Sequence, residues 1–315
     1  MRKTLVLMLL WCSPAWAGDF NAWREGVKQE AAEQGISAQA IAALDDIEPN
    51  PRVIELDRKQ PEHAITFAEY RDNLLSDLRI RRGREMAIMH AGVLSSAATA
   101  YGVPVKYLLA LWGMESSYGS APGNFSILQS LATLAYEGRR AAFFRGELLA
   151  ALRVIDGDHI APDALRGSWA GAMGQCQFMP TTFLRFAADG DGDGSRDIWG
   201  SLPDVFASMA NYMRAEGWQN ELGWGMRVVA LHVMAPQLVG LNQAQALTVW
   251  QKLGIRAANG HDLPPDQVSM YYLVQPDGPA GSSFLVTPNY KVIMRWNRST
   301  YFATTVGLLA DKMEP

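Results

Sequence analysis

Residues 103–119, VPVKYLLALWGMESSYG, decide how this 315-residue chain is read, because one carboxylate interrupts an otherwise apolar run. Pro104 suits the first turn of a helix and Gly119 its end, so the stretch predicts one helix of about four turns. Leu108, Leu111, Trp112 and Glu115 fall at i, i+3, i+4 and i+7 and share a face. Glu115 therefore ends an apolar stripe. A carboxyl carried into low dielectric has its neutral form favoured and its pKa raised, which a general acid working near neutral pH requires. A frayed helix tip with Glu115 solvated, or a structural ion pair, places a carboxylate there equally well, and the helix alone does not separate these readings.

Around that stretch the composition is that of a globular protein, with 49% apolar residues and enough length for one large domain or two to three subdomains. Residues 1–17 stand apart. Arg2 and Lys3 precede the apolar run 5–11, and Ala15-Trp16-Ala17 reads as an A-x-A cleavage site, so an exported, periplasmic protein beginning at Gly18 is expected. The apolar run is too short to span a bilayer, and no transmembrane segment is expected later. Trp11 before Cys12 is not the small residue that lipoprotein processing needs, so lipid anchoring at Cys12 is not expected. Cys176 is then the one cysteine of the mature chain and makes no internal disulfide. The formal charge of −4 becomes −6 without Arg2 and Lys3, with no basic run, which argues against nucleic acid as a partner.

Taken in order, residues 20–44 have helical spacing, with Ser37 as an N-cap near their end. Asn50-Pro51 breaks the pattern, and residues 52–62, too charged for a core helix, read as a strap across a neighbouring surface. Helical spacing resumes over 63–101. Tyr70 within it suits the core or a sugar-facing surface. Two more helices are expected at 127–136 and 141–155, joined by a turn with Arg139 and Arg140, which is either solvated or holds an anionic group. Asp156-Gly157-Asp158 looks like turn chemistry.

Residues 167–180, GSWAGAMGQCQFMP, combine three glycines with Trp169 and Gln177. Open backbone, a flat ring and an amide suit an acetamido sugar, and a glycine loop packed tightly on the core is the competing reading. After a short helix at 181–188 comes D-G-D-G-D-G-S-R-D, residues 189–197. Its alternating Asp189, Asp191 and Asp193, with Gly194 at the sixth position and a helix following at 203–216, form an EF-hand-like loop over 189–204 that predicts structural Ca2+. Its twelfth position is Gly200 instead of Glu. Asp204, four residues on, closes the shell or forms a capping pair with Ser201. From Gly217 the chain turns β-rich, with strands expected at 223–233, 270–274, 282–286 and 291–296, a short helix at 247–253 and a final helix at 301–312.

Zincin, serine-hydrolase, Walker A and dinucleotide motifs are missing from the sequence, and His63, His90, His159, His232 and His261 show no metal spacing. A shielded carboxyl, a glycine loop with amide and ring, and many aromatics remain, the equipment of a glycan-cleaving enzyme. No second acid stands out, although glycosidases ordinarily use two.

Met114-Glu115-Ser116-Ser117-Tyr118-Gly119, Gly171-Ala172-Met173-Gly174 followed by Gln177-Phe178-Met179-Pro180, the aspartate loop and Asn211-Tyr212 together resemble the membrane-bound lytic murein transglycosylase B family, in a soluble-type member. Residues 52–58 resemble its N-terminal strap and residues 296–299 its last strand. The resemblance implies a mainly α fold: a lysozyme-like core with a helical subdomain (18–216 and 297–315) and a small β-rich subdomain (217–296), hence α+β. It implies cleavage of the MurNAc-β-1,4-GlcNAc bond of peptidoglycan to 1,6-anhydro-MurNAc ends. By this carry-over Glu115 is the sole acid and base, needing no cofactor for catalysis. Ser168, Gln177, Met179, Tyr212, Trp296 and Asn297 line the glycan groove, with Tyr70, Arg139, Arg140 and Tyr301 at its rim. Asp189, Asp191, Asp193, Ser195 and Asp204 hold the ion. Trp296 stands where the family usually has Tyr, and Phe302 near where a second Tyr is expected. The alternatives are a goose-type muramidase that hydrolyses, and a non-catalytic Ca2+-dependent murein-binding protein.

Overall fold

The acid-bearing segment forms the helix Val105–Ser116, in which residues 107–113 are all buried. A helix apolar around its whole girth belongs at the centre of a body of other helices, and here it packs against Thr300–Met313, Asp77–Met89 and Ala91–Tyr101. The computed structural model describes residues 16–59, 65–137, 140–158, 160–265 and 269–313; most of the expected leader, Cys12, His63, Arg139 and His159 lie outside the described residues. The helical body also includes Trp16–Glu33, Ile127–Glu137, Ala141–Asp158, Pro180–Phe186 and Leu202–Ala215, which contribute to one continuous apolar core.

A five-stranded antiparallel sheet is inserted between the helices Leu202–Ala215 and Pro288–Trp296. Its strands lie in the order Gln245–Ala246, Met270–Val274, Ser283–Val286, Gly225–Ala230 and Ile255–Ala257. Because strand side chains alternate, Phe284 and Val286 join the main core while Leu285 between them faces a second cluster built on Trp250, Leu247, Ile255 and Leu273. The mainly α character with a small β-rich unit is thus as expected from the sequence.

Three local expectations are corrected. Residues 291–296 belong to the helix Pro288–Trp296, not to a strand: Thr287 accepts the Asn289 amide as N-cap, Pro288 takes the first turn, and Tyr290 and Ile293 pack into the main core. The charged strap is largely a two-turn helix, Pro51–Arg58, capped by Asn50 and resting Val53 on Ile127–Glu137. Asp156 and Asp158 lie in the last turn of Ala141–Asp158, not in a loop. Asp156 accepts the Ser37 amide, and Asp158 takes both arms of Arg196 at 2.7 and 2.6 Å.

Candidate active site

The helix bearing Glu115 does not run on to Gly119. Ser117, Tyr118 and Gly119 are all left-handed, at φ 50°, 58° and 75°. The Tyr118 amide donates back to the Trp112 carbonyl, and the Ser116 hydroxyl accepts the Gly119 amide at 3.1 Å. Two non-glycine residues in this region each cost on the order of 1 kcal/mol or more, which the surroundings must hold in place. Tyr118 is held by its hydroxyl, which donates to the Arg79 carbonyl, and by its ring lying over Gly113, where a Cβ would come within 2.6 Å of it. Trp112 is fixed by its indole N–H on Gln175, whose amide donates in turn to the Trp199 carbonyl. The end of the helix is therefore rigid, not frayed, and Glu115 is half-buried on it.

Burial pushes the Glu115 carboxyl up to about 8, offset in part by one hydrogen bond, from the Trp296 indole N–H to Oε1 at 2.8 Å. Among the described residues no ion pair engages Glu115. Trp296 is held by rings: Tyr212 at 4.7 Å between centroids and Phe178 at 5.1 Å, with Phe186 behind Tyr212. Tyr212 is itself buried, and its phenol is pushed up to about 12 by that burial. On another side stands Tyr70, whose phenol is raised first by burial and then by the Glu115 charge. Its ring meets Tyr301 at 5.7 Å, and the Tyr301 hydroxyl donates to Asp277 at 3.0 Å.

The remaining expected groove residues divide. Gln177, left-handed at φ 51°, gives its amide N–H groups to the Pro122 and Gly174 carbonyls, both at 2.7 Å, leaving its oxygen as the unspent acceptor. Ser168 accepts the Ala172 amide, and Met179 begins the helix Pro180–Phe186 beside Phe178. Asn297 caps the end of Pro288–Trp296 and accepts the Ser299 amide, exposed next to Trp296. Arg140 lies over the Phe144 ring at 4.9 Å, and among the described residues none of its contacts reaches Glu115. Phe302 is buried in the core, not at the site.

The glycines at 167, 171 and 174 do not leave backbone open to a sugar. A Cβ on Gly167 would lie 1.9 Å from the Ala172 carbonyl, one on Gly171 2.4 Å from Leu131, and one on Gly174 2.6 Å from the Ile198 carbonyl. They serve close packing of the loop on the protein itself. Sequence reading also missed Arg79, which ties the Gly113 carbonyl and the Tyr70 surroundings together, and Asp277, which anchors Tyr301 and the amides of Phe67 and Ala68. An arginine in a charged helix and an aspartate in a turn carry no sequence signal of such a role.

In the aspartate loop, carboxylate oxygens of Asp189, Asp191 and Asp204 lie within 4.8 Å of one another. Oxygens sharing one Ca2+ at roughly 2.4 Å are separated by at most about 4.8 Å, so this donor set fits the ion. Asp193 instead accepts the Ser195 amide at 2.8 Å. Asp204, 1% exposed, accepts the Gly190 and Asp197 amides, each at 2.7 Å. Its pKa is raised by burial, lowered by these bonds, and raised again by Asp191 and Asp189. Ser201 does accept the Asp204 amide, at 3.4 Å, so cap and loop closure coexist.

Residues 19–311 match the transglycosylase SLT domain. The chain belongs to that family. It is 32% identical over 256 residues to the membrane-bound lytic murein transglycosylase B of Escherichia coli, a match covering 78% of this chain and 66% of the relative's length. Among solved structures, SltB3 from Pseudomonas aeruginosa in complex with NAG-anhNAM-pentapeptide superposes with a TM-score of 0.90 at 42% identity, covering 94% of this chain and 79% of the other. The Escherichia coli lytic transglycosylase Slt35 in complex with calcium superposes with a TM-score of 0.78 at 27% identity, covering 92% of each chain. The expected family and α+β lysozyme-like fold are thereby borne out. No helix among the described residues is long and apolar enough to cross a membrane.

Proposed function

We propose that this chain is a lytic murein transglycosylase that cleaves the MurNAc-β-1,4-GlcNAc bond of peptidoglycan strands without net hydrolysis, leaving 1,6-anhydro-MurNAc ends. The observation that carries the reading is Glu115: half-buried, in no ion pair among the described residues, bonded to one indole N–H and raised to about 8. Such a carboxyl is mostly neutral near pH 7 and able to donate.

Glu115 gives its proton to the glycosidic oxygen as the bond from that oxygen to C1 of the muramyl ring breaks. The carboxylate left behind takes the proton of the C6 hydroxyl of the same ring as O6 closes on C1. The acid is thereby restored, and the substrate acetamido group steadies the positive charge at C1 in between. Trp296 supports the carboxylate stage, because its N–H bond strengthens when Oε1 carries charge. Its indole supplies the donor that a phenol would supply at that position. Ser168, Gln177, Met179, Tyr70, Tyr212, Asn297 and Tyr301 position the glycan, with Arg139 and Arg140 at the rim. Export through the leader 1–17 to the periplasm is part of this reading and rests on the basic start and the A-x-A site.

Asp189, Asp191 and Asp204, joined by Asp193 and Ser195, would hold Ca2+. The ion would neutralise the crowded carboxylates and brace the loop that carries Ile198 and Trp199 beneath the acid-bearing helix. The reaction is tested by mass spectrometry of digested murein. Anhydro ends are expected, whereas reducing ends from the same digestion would make the protein a muramidase that hydrolyses.

A further inference from the structure

Tyr70 stands on the short helix Phe67–Leu74, whose one buried side chain is Phe67. With so little of it in the core, the placing of Tyr70 falls to whatever holds the first turn. A helix leaves the amides of that turn without partners of its own. The local sequence satisfies part of them: the Thr66 hydroxyl accepts the Glu69 amide, and the Glu69 carboxylate accepts the Thr66 amide. The Phe67 and Ala68 amides between them go to a residue 210 positions further on. Asp277 accepts Phe67 through Oδ1 and Ala68 through Oδ2, the latter at 3.2 Å, and Oδ1 also accepts the Tyr301 hydroxyl at 3.0 Å. The Phe67 ring meets Tyr301 edge to face at 5.4 Å and Phe284 of the inserted sheet at 6.0 Å. Asp277 lies half-buried in the turn between the strands Met270–Val274 and Ser283–Val286. One side chain thus joins the sheet to both helices that carry the tyrosines. Capping does not account for this. Thr66 and Glu69 already start the helix, and the exposed Ala68 amide is open to water. Glu69 is held below its ordinary value by the Thr66 bonds, and the Asp277 charge pushes against that.

We propose that Asp277 is a positioning residue of the active site: by holding the Phe67 and Ala68 amides and the Tyr301 hydroxyl at once, it sets Tyr70 and Tyr301 against Glu115 and makes the inserted β unit part of the site's construction. The proposal rests on the transglycosylase reading and adds to it what keeps the tyrosine wall in place. Tyr70 follows Phe67 by three residues, so it lies on the same face of the helix, one turn from the tethered amides. Its closeness to the acid shows in its phenol, raised first by burial and then by the Glu115 charge, with Arg79 acting the other way. The Cys176 thiol, raised first by burial, feels the same charge from the glycine loop. Glu115 itself is shifted by burial and by the Trp296 bond, with no contribution from Asp277. Substituting Asp277 therefore reaches the acid only by way of the wall, through the water that a slack wall admits.

Asp277→Ala and Asp277→Asn in the full chain test this, with Glu69→Ala as a control that weakens the cap of the same helix and leaves its tie to the sheet. With water at the acid, the alkaline limb of the rate profile should move down from about 8 towards the ordinary carboxyl range. For a limb lowered to about 7 in Asp277→Ala, the ratio of turnover at pH 6 to turnover at pH 8 rises about fivefold. Asp277→Asn keeps one acceptor oxygen but turns an amide N–H2 towards a donor, so its ratio should fall between. Tyr301→Phe should give part of the change, and adding it to Asp277→Ala should give little more, because the two residues share one interaction. Glu69→Ala should lower Tm and leave the ratio where it was. An unchanged ratio in Asp277→Ala, or an equal change in Glu69→Ala, makes Asp277 a cap and overturns the proposal. Carbon-13 NMR of labelled glutamate carboxyls, with Glu115→Gln assigning the resonance, reads the acid without turnover. A lower Glu115 pKa in Asp277→Ala supports the positioning role even if the unaltered chain releases no anhydro ends from murein, in which case the transglycosylase reading fails alone. Anhydro ends together with an unmoved Glu115 titration leave the enzyme standing and overturn the role of Asp277. Should Asp277→Ala not fold, Asp277→Asn decides by the same two readouts.

Discussion

Glu115 and Asp204 are both carboxylic side chains on helices, both enclosed by protein, yet they are equipped for opposite tasks. Asp204 has an amide on each oxygen at 2.7 Å and stands beside Asp189 and Asp191. Glu115 has one indole donor at 2.8 Å and, among the described residues, no charged partner that perturbs it. Burial raises the pKa of both, but at Asp204 the two amides pull against it, while at Glu115 only Trp296 does. Burial is therefore common to the two sites and does not decide what they do. The donors separate them: amides on both oxygens work against the rise that burial and the two neighbouring aspartates give Asp204, whereas Glu115, with a single donor, is pushed up to about 8.

The largest effect expected from this contrast is at Glu115. Glu115→Gln keeps the shape and the acceptor for Trp296 but cannot donate, so release of anhydro ends should fall by at least ~10³-fold with glycan binding retained, measured by product mass spectrometry and a pull-down on insoluble murein. Retained turnover would falsify the assignment. Next in size is the aspartate loop. Adding Ca2+ at about a hundred times its Kd should stabilise the protein by ~2.7 kcal/mol, a thermal melt should show it, and chelation should reverse it. Asp204→Asn should lower Tm and abolish the response, since one of the two amides loses its acceptor and the oxygen cluster loses a charge. An unchanged calcium response in that variant would separate the ion from Asp204.

Stability against pH sharpens the comparison further. Between an ordinary value of 4.5 and about 8 the folded chain holds the Glu115 proton more tightly than the unfolded chain does. Stability should therefore decline as pH rises through that window and level off above it. Glu115→Gln lacks this slope, so chemical denaturation should find it more stable than the unaltered protein at pH 8, by on the order of 2 kcal/mol once partial exposure is discounted. Activity should fall as pH rises through about 8, where the acid is lost. The smallest effect is expected at the donor. Trp296→Phe removes the bond that lowers the Glu115 pKa, so the alkaline limb of the rate profile should move upward and kcat drop about tenfold, while Trp296→Tyr should retain more activity. An unmoved limb in Trp296→Phe would mean that burial alone sets the acid.

Much of this was legible in the residues. The Leu108-Leu111-Trp112-Glu115 face put a carboxyl at the end of an apolar stripe, and the D-G-D-G-D-G spacing gave the crowded carboxylates, because both depend on local periodicity; the acid role of Glu115 came from the family resemblance alone. What failed depended on partners far along the chain. K-V-I-M-R-W is too short to tell a strand from a helix by alternation, and the T-P-N entry at 287–289 was the overlooked cue. Gly119 looked like the helix end, but the turn is made by Ser117 and Tyr118, which only the packing of Tyr118 on Gly113 and Arg79 explains. The glycines of 167–174 meet Ala172, Leu131 and Ile198, contacts that no local pattern announces. Trp296 was placed in the groove only by the family resemblance, and its N–H on Glu115, 181 residues earlier, was out of reach of any local pattern.

That separation has a consequence for how the molecule comes into being. Glu115 and the indole that steadies it are joined only after the whole inserted sheet has been made and the helix Pro288–Trp296 has docked on Tyr212 and Phe178. Contacts so distant along a chain are the slowest to close. A polypeptide still lacking residues 288–296 would thus lack the donor that steadies Glu115, however much of the helical body had already formed.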